Sequence, residues 1–260
     1  MPSPLTVAVS DLDDTLLRSD GCISPRCEEA IGAWLHDGRR FVIATGRPPR
    51  SIGERLPSIL QGVPWICYNG AEIRQDGRVL YRNFIPEGAL VELVPRVLDE
   101  FPDTIVGIEL DDVLWLNRPR ERQTSYHPRY RIADLREVSH HATAKVLFFS
   151  ERLEELLGAF DPLPPSTRLM ASGRYPFFQL MAESADKVHA LSYLLDGWRR
   201  SLDDVVAFGD DINDVDLLRA SAVGIAVANA FPGALAAADR VTASNEDDGV
   251  AQVLEELLAE

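Results

Sequence analysis

Residues 8–17 read AVSDLDDTLL, an apolar run that ends in three carboxylates within four positions. An apolar run of this kind is typical of a strand buried on both faces, as in a parallel sheet covered by helices. Asp11, Asp13 and Asp14 follow the strand directly, where their charges repel one another and where burying an unpaired carboxylate is costly. The stretch therefore predicts a positively charged group at the end of this strand.

Predicted strands and helices alternate along the chain from this stretch to residue 82. Apolar strands are predicted at 5–10, 40–45 and 65–69, and helices at 24–38 and 50–60. Residues 71–82 then predict a hairpin that turns at Asp76 and Gly77. This alternation indicates a parallel sheet with helices packed on it.

The alternation stops near residue 83 and resumes after residue 182. The intervening segment predicts a helix at 86–101, a hairpin over TIVGIEL and DVLWLN, and several further strands, which together indicate a partly antiparallel sheet. From residue 186 onward, four helices and three strands alternate again. We therefore expect an α/β core formed by residues 1–82 and 183–260, with residues 83–182 inserted as a separate α+β domain.

Composition narrows the range of partners and compartments. The 260 residues carry 41 acidic and 26 basic side chains, a net charge of −15, which argues against nucleic acid or an anionic membrane as partner. No apolar run reaches the length of a membrane-spanning helix, and the first residues lack the features of a signal peptide. Three cysteines without metal-type spacing suit a reducing cytoplasm.

Lysine is rare in this chain. Of the 26 basic residues only Lys145 and Lys187 are lysines, and the other 24 are arginines. A basic position chosen at random would thus almost always be arginine. A lysine in a motif is correspondingly informative, because a compact ammonium group suits a single phosphoryl oxygen better than a planar guanidinium does.

Four predicted strands end in residues that suit phosphate chemistry. These ends are DLDDT (11–15), TGR (45–47), YNG (68–70) and GDDINDVD (209–216). Ligands of open parallel sheets bind at the carboxyl ends of the strands. Two acidic strand ends that face each other would bind a hard divalent cation such as Mg²⁺ through oxygen ligands. A threonine hydroxyl, backbone N–H groups and a lysine would bind an anion beside this cation. A cation together with such donors is what phosphoryl transfer requires.

Each of these motifs is weak alone, but together and in order they resemble the haloacid dehalogenase-like hydrolases, specifically the Cof-type (class IIB) phosphatases. The matching elements are DLDDT at 11–15, ATGR at 44–47, Lys187 in ADKVHAL, and GDDIND at 209–214. NGA (69–71) and VAN (227–229) resemble secondary signatures of the same family. The resemblance covers the whole chain and implies a Rossmann-like core with an inserted cap domain of the C2B type.

The resemblance also implies a role for each matching position. Asp11 would be the nucleophile that forms an aspartyl-phosphate, and Asp13 the general acid and base. Mg²⁺ would be held by the Asp11 carboxylate, the Asp13 backbone carbonyl and Asp210, with Asp214 assisting through water. The phosphoryl oxygens would be held by Thr45, Gly46, Lys187 and Asn213. Arg47, directly after this Thr-Gly pair, is the best candidate for a substrate contact.

Two positions depart from the family pattern. Asp14 stands where the family often has glycine, so its side chain is expected to point to solvent or to cap the next turn. Val188 follows Lys187 where glycine is usual, which weakens the match around that lysine.

The function that these motifs favour is a Mg²⁺-dependent phosphatase for a small phosphomonoester, with a sugar phosphate as the expected substrate. A phosphomutase of the phosphomannomutase type is the alternative within the same fold, and a non-catalytic binding or regulatory protein is the alternative from another class. The inserted domain would select the leaving group. Its arginine-rich stretch at 118–136 is either a solvated surface or a grip on a second anionic group. The sequence does not determine the oligomeric state.

Overall fold

The structure of the protein is a computed structural model, and it describes residues 5–53, 56–120, 130–150, 152–158, 160–171 and 177–260. The chain divides into two units. Met1–Arg82 and Asp186–Glu260 form the core unit, and Asn83–Ala185 form the inserted unit. No helix of the described ranges has the length and apolar character needed to cross a membrane.

Both units contain strands and helices. In chain order the strands are β1 (Val7–Ser10), β2 (Arg40–Ala44), β3 (Trp65–Cys67), β4 (Glu72–Gln75), β5 (Arg78–Arg82), β6 (Ile105–Leu110), β7 (Val113–Leu116), β8 (Tyr130–Ile132), β9 (Lys145–Phe149), β10 (Thr167–Ala171), β11 (Phe177–Ala182), β12 (Val205–Gly209), β13 (Val223–Ala226) and β14 (Arg240–Val241). The helices are α1 (Pro25–His36), α2 (Leu93–Glu100), α3 (Leu135–Val138), α4 (Leu153–Gly158), α5 (Lys187–Trp198), α6 (Val215–Ala220), α7 (Pro232–Ala237) and α8 (Gly249–Ala259).

The core unit is built on an eight-stranded sheet in the order β14-β13-β12-β1-β2-β3-β4-β5. The six strands from β14 to β3 are parallel, whereas β4 and β5 pair antiparallel as the predicted hairpin. All four residues of β1 are buried, as expected of a strand with helices on both faces. Because β1 lies between β12 and β2, residues 8–17 supply a strand in the middle of the sheet.

The helices of the core unit begin and end at residues suited to those positions. Ser24 caps α1 by accepting a hydrogen bond from the backbone N–H of Cys27, and proline follows in the first turn. Asp186 caps α5 in the same way, which places Lys187 at the first helical residue. One hydrophobic cluster joins β1, β2 and β12 to α5 and α6, and its buried members all belong to the core unit.

The inserted unit has its own six-stranded sheet in the order β10-β11-β9-β6-β7-β8. Its neighbouring strands are antiparallel except for β7 and β8. Val146 and Phe148 of β9 pack with α2, α3 and α4 in a second cluster. We call the sheet face that carries these two residues the first face. Since side chains alternate along a strand, Lys145, Leu147 and Phe149 lie on the opposite face, which we call the second face.

The fold class predicted from the sequence, a parallel-sheet α/β core with an inserted α+β module, is confirmed, but two predicted helices differ. In place of a helix at 50–60, the described residues form two 3₁₀ turns, Pro49–Ser51 and Ser58–Leu60. Each turn has a proline before or at its start, and neither continues into an α-helix. The helix predicted at 86–101 begins only at Leu93, because Pro86 and Gly88 precede it in a turn.

Because the core unit has a separate hydrophobic cluster, we expect it to fold without the inserted unit. A chain in which a Gly/Ser linker replaces residues 83–185 should unfold cooperatively on heating and keep a folded α/β circular-dichroism spectrum. Loss of near-ultraviolet signal with retained far-ultraviolet signal would contradict this expectation, since that combination marks a molten state.

Candidate active site

The sheet order brings the predicted motifs to one edge. Asp11 follows β1 and donates its backbone N–H to the Phe208 carbonyl of the neighbouring β12 at 2.9 Å. Thr45 follows β2 on the other side and donates its N–H to the Ile66 carbonyl of β3 at 2.8 Å. Asp210 follows β12. Three motifs far apart in sequence therefore meet because their strands are parallel neighbours.

A buried ammonium group joins two of the carboxylates. Nζ of Lys187 lies 2.5 Å from Oδ1 of Asp11 and 2.5 Å from Oδ1 of Asp214. All three side chains are at least nine-tenths buried. Buried charges of this kind persist only when they are paired and hydrogen-bonded. Lys187 thus supplies part of the positive charge that the sequence predicts beside the carboxylates after β1.

The pKa values at this cluster shift in the directions that burial and charge dictate. Burial raises the pKa of Asp11 well above its usual value; Lys187 opposes the rise, and the charges of Asp214, Asp210 and Asp13 add to it. Burial alone would lower the pKa of Lys187, but the charges of Asp11 and Asp214 outweigh it and raise that pKa. The ammonium therefore stays charged at neutral pH, and a further positive charge nearby would lower the pKa of Asp11 again.

The residues present fit a cation. Carboxylate oxygens of Asp11, Asp210 and Asp214 lie within 4.8 Å of one another, and all three residues are buried. Three carboxylates against one ammonium leave an excess of negative charge in a dry site. An all-oxygen set of this kind suits a hard divalent cation.

Two of these carboxylates are held in place by hydrogen bonds. Oδ1 of Asp210 accepts a hydrogen bond from the Thr15 hydroxyl at 2.8 Å. Oδ2 of Asp214 accepts the backbone N–H groups of Asp210 and Asp211, each at 3.1 Å. A Cβ at position 209 would lie 2.5 Å from the Cβ of Asp214, so glycine is required there. The lack of a side chain at Gly209 thus lets Asp214 lie close against the end of β12.

Asp13 lies outside the ammonium cluster and pairs with Arg47. Nε of Arg47 donates to one carboxylate oxygen at 2.7 Å and Nη2 to the other at 2.5 Å. Nη1 of the same guanidinium donates to the Ser51 carbonyl at 3.2 Å. The Arg47 side chain is 9% exposed and that of Asp13 is 41% exposed. The arginine is therefore the anchored partner and the carboxylate the more accessible one.

Three of the predicted phosphate-binding residues, Thr45, Gly46 and Asn213, lie next to Asn69. Asn69 belongs to the NGA signature (69–71) but is not one of the predicted site residues. Nδ2 of Asn213 donates to Oδ1 of Asn69 at 2.9 Å, and Asn69 donates its N–H to the Thr45 carbonyl at 3.0 Å. A Cβ at Gly46 would lie 2.9 Å from Oδ1 of Asn69. Asn69 therefore ties the loops after β2, β3 and β12 together. Its position at the end of the apolar run WICYN (65–69) is the signal that the sequence offers.

Asp14 has a left-handed backbone, with φ of 58°. This explains why glycine is favoured at the position, and aspartate is one of the few other residues that tolerate such a φ. Its carbonyl accepts a hydrogen bond from Nδ2 of Asn229 at 2.7 Å. The VAN motif therefore supports the loop after β1. Val188, the other departure, is half-buried and packs against the core cluster.

The arginine-rich stretch 118–136 is only partly visible, because residues 121–129 lie outside the described residues. The guanidinium of Arg120 lies 3.9 Å from the ring centroid of Phe149. Arg136 pairs with Asp99 at 2.5 Å on the surface. A contact between this stretch and the substrate stays a prediction.

Comparison with known proteins decides the family. A model of the haloacid dehalogenase-like hydrolases matches residues 8–254. The chain belongs to this family. The 5-amino-6-(5-phospho-D-ribitylamino)uracil phosphatase YitU of Bacillus subtilis is 25% identical to it and covers 97% of this chain and of its own length.

Solved structures agree on the fold. The crystal structure of TM0651 from Thermotoga maritima matches with a TM-score of 0.84 at 27% identity, covering 96% of each chain. The subclass IIB sugar phosphatase BT4131 matches with a TM-score of 0.82 at 23% identity, covering 96% of this chain and 98% of its own. The predicted family and fold class are thus confirmed.

This haloacid dehalogenase-like hydrolase is a phosphatase, that is, a phosphoric monoester hydrolase acting on small phosphorylated metabolites. The non-catalytic alternative is therefore not retained. The roles of individual residues stay predictions.

Removing the buried ammonium should destabilise the hydrolase in a pH-dependent way. In a metal-free buffer, Lys187→Met should cost about 3–5 kcal/mol of unfolding free energy at pH 8, because it leaves buried carboxylates unpaired. The cost should shrink toward pH 5. The pKa of Asp11 is raised in the folded state, so folding binds protons and stability falls as pH rises above the unfolded value. Without Lys187, which opposes the rise, this fall becomes steeper.

Urea unfolding at both pH values measures the effect. Arg240→Met, which removes an exposed pair with Glu256, is the control and should cost less than about 1 kcal/mol. A pH-independent loss in Lys187→Met would show that packing, not charge, dominates.

The left-handed backbone at Asp14 predicts an order of stability between two variants. Asp14→Ala should be less stable than Asp14→Gly by about 1 kcal/mol, because only glycine adopts a positive φ without steric cost. Both variants lose the carboxylate, so their difference isolates the backbone. Equal urea midpoints would argue against this reading.

Proposed function

We propose that the protein is a Mg²⁺-dependent phosphatase that hydrolyses a sugar phosphate through an aspartyl-phosphate intermediate. The observation that carries the proposal is the buried Asp11, which is held by Lys187 and lies beside Asp210 and Asp214. A carboxylate at this place can attack a phosphoryl group that a cation and an ammonium both hold.

The residues of the acidic cluster would hold Mg²⁺. The proposed ligands are the carboxylates of Asp11 and Asp210 and the backbone carbonyl of Asp13, with Asp214 next to them. Bound Mg²⁺ would offset the negative charge that gathers between the attacking carboxylate and the phosphoryl oxygens. The excess of three carboxylates over one ammonium supports this assignment.

The phosphoryl oxygens would be bound by donors from the neighbouring loops. The proposed donors are the Thr45 hydroxyl, the Gly46 N–H, the Lys187 ammonium and the Asn213 amide. Their approach is supported by Asn69, which connects Thr45 and Asn213 through hydrogen bonds. Donors fixed in this way stabilise charge without having to reorganise during the reaction.

In the first step, an Asp11 carboxylate oxygen attacks phosphorus and the bond from phosphorus to the ester oxygen breaks. Asp13 gives its proton to the departing oxygen, which leaves as an alcohol. In the second step, water gives a proton to Asp13 and attacks phosphorus, and the bond from phosphorus to Asp11 breaks. Inorganic phosphate leaves, and both carboxyl groups return to their starting states.

Asp13 must exchange partners to act in this sequence. Its carboxylate is held by Arg47, whose own bond to the Ser51 carbonyl anchors the guanidinium. We infer that Asp13 leaves this pair and takes up a proton from solvent before it reaches the leaving-group oxygen. Arg47 is then available for the predicted substrate contact.

The expected substrate is a small phosphorylated sugar or sugar alcohol. The relative YitU acts, by its name, on a phosphorylated ribitylamino compound, and BT4131 is a sugar phosphatase. We further propose that the inserted unit serves as the cap that selects the leaving group. Three cysteines without metal-type spacing support a cytoplasmic location as part of this proposal.

Phosphate release separates the proposed roles. With Mg²⁺, the protein should release phosphate from sugar phosphates and from 4-nitrophenyl phosphate, and a chelator should abolish the release. Asp11→Asn should be inactive on both, because an amide is not a nucleophile for phosphorus. Asp13→Asn should lose more activity on a sugar phosphate, by about 10²–10⁴-fold, than on 4-nitrophenyl phosphate, whose leaving group needs no proton.

Asp216→Asn, which changes an exposed carboxylate two residues after Asp214, is the matched control and should keep wild-type rates. Residual turnover in Asp11→Asn above about a tenth of wild type would remove Asp11 from the nucleophile role. Transfer of the phosphoryl group between two positions of a sugar, without net release of phosphate and dependent on an added sugar bisphosphate, would indicate a phosphomutase instead.

A further inference from the structure

The loop after β1 is a wide turn that closes at Leu12. The carbonyl of Leu12 accepts two backbone N–H groups, from Leu16 at 3.2 Å and from Leu17 at 2.8 Å. Asp13 directly follows Leu12 and lies within this turn. The shape of the turn therefore sets both the direction of the Asp13 backbone carbonyl and the point from which its side chain extends.

Two asparagine side chains from other loops hold this turn. Nδ2 of Asn229 donates to the Asp14 carbonyl at 2.7 Å, and Nδ2 of Asn245 donates to the Leu17 carbonyl at 2.9 Å. One hydrogen bond thus lies just after Asp13, and the other lies at the end of the turn. Asn229 is exposed, whereas Asn245 is buried, with 7% of its surface accessible.

The two asparagines are also joined to each other. The backbone N–H of Asn245 donates to Oδ1 of Asn229 at 3.0 Å. The Asn229 side chain therefore accepts from one loop and donates to another, which an amide does because it carries both an acceptor oxygen and donor N–H groups. Since the two asparagines share a hydrogen bond and hold the same turn, their contributions should be coupled and not additive.

Both asparagines come from loops whose strands are not neighbours of β1. Asn229 follows β13 and Asn245 follows β14, and β12 separates these two strands from β1 in the sheet order. The loop after β13 also contacts the loop after β12, because the Phe231 N–H donates to the Asp210 carbonyl at 2.7 Å. The position of the turn that carries Asp13 is therefore set by the far part of the sheet as well as by its own strand.

The residues that follow the turn are held by the same loop as Leu17. The Ser19 N–H donates to Oε1 of Glu246 at 2.6 Å, and Nη2 of Arg18 donates to Oδ1 of Asp248 at 2.7 Å. Three consecutive residues, 17–19, thus bind side chains from residues 245–248. The contact of Asn245 is the one of these three that ends within the turn.

A neutral amide suits this position better than a charged donor. The turn adjoins a buried cluster of carboxylates, and the charge of Asp13 is among those that raise the pKa of Asp11. A lysine or arginine in place of either asparagine could also donate to a carbonyl, but its charge would shift the pKa values of the site. An amide fixes the backbone and adds no net charge.

We propose that Asn229 and Asn245 are positioning residues for the phosphatase reaction, which hold the turn at 12–17 so that Asp13 can reach the leaving-group oxygen. This inference rests on the proposed role of Asp13 as general acid and base and deepens it. The two asparagines act through backbone carbonyls of the turn and not by contact with the substrate.

The test compares two leaving groups at saturating Mg²⁺. The substrates are the sugar phosphate that the wild-type protein hydrolyses best and 4-nitrophenyl phosphate, whose leaving group needs no proton. Asn245→Ala should lower kcat for the sugar phosphate about tenfold or more, because a misplaced acid protonates the leaving group poorly. For 4-nitrophenyl phosphate, kcat should change less than about threefold. KM should stay near its wild-type value, since the proposed phosphate-binding donors lie on other loops.

Asn229→Ala should give the same result, and it decides the question if Asn245→Ala does not fold, because Asn229 is exposed. The variant with both substitutions should lose less than the product of the two single losses. Gln252→Ala is the matched control. The Gln252 amide donates to the Asp247 carbonyl at 2.8 Å, in the same loop as Asn245, and its loss should leave the ratio of the two kcat values unchanged.

Removal of the Asp13 carboxylate distinguishes positioning from a general weakening of the fold. In an Asp13→Asn background, a further Asn229→Ala or Asn245→Ala substitution should change the ratio of the two kcat values less than about twofold, because the group to be positioned is gone. An asparagine that only stabilises the fold would lower the urea midpoint and leave the ratio unchanged in the wild-type background as well.

The outcomes separate this inference from the proposed function. A wild-type protein that releases no phosphate overturns the proposed function, and equal losses on both substrates in Asp13→Asn overturn the role of Asp13; the positioning role falls with either. If Asp13→Asn behaves as expected, the positioning role alone is overturned by an unchanged ratio in Asn229→Ala, by an equal shift in Gln252→Ala, or by a shift that persists in the Asp13→Asn background.

Discussion

The buried contact of Lys187 with Asp11 and Asp214 is the interaction on which the core unit depends most. It joins residues separated by 176 positions and by 27 positions in the sequence. Its charge balance is incomplete, since Asp210 adds a third carboxylate within the same few ångströms. The fold therefore creates a local excess of negative charge that a bound dication would relieve, so metal binding and stability are linked.

This cluster can form because the strands that carry it are parallel. Parallel neighbours end at the same edge of a sheet, so the loops after β1, β2 and β12 meet although long segments separate them. Asn69 and Asn229 then connect these loops through short hydrogen bonds, each to a motif from another part of the chain. The geometry of the site is thus set by backbone topology first and by amide side chains second.

The sequence predicted what strand burial and motif order control, and failed where tertiary contacts decide. The apolar runs before Asp11 and Asp210 could be recognised as strands because both faces of a parallel sheet are buried. The prediction of a helix at 50–60 was wrong because the apolar spacing resembles a helix, although Pro48 and Pro49 precede the segment and Pro57 interrupts it. The pairing of Arg47 with Asp13 could not be predicted, because it depends on side-chain reach across two loops, which spacing does not encode.

Lys187 shows why residue type at a buried position carries more information than residue charge. Lys187 sits between two carboxylate oxygens at equal distances of 2.5 Å, a geometry that a point charge with three donors satisfies and a planar fork does not. On the exposed surface such differences matter little, because solvent screens the pair and either cation serves. Arginine occupies the other 24 basic positions, among them Arg47, whose planar fork suits the two carboxylate oxygens of Asp13. At a buried position, the shape of the cation, and not its charge alone, therefore decides which basic residue fits.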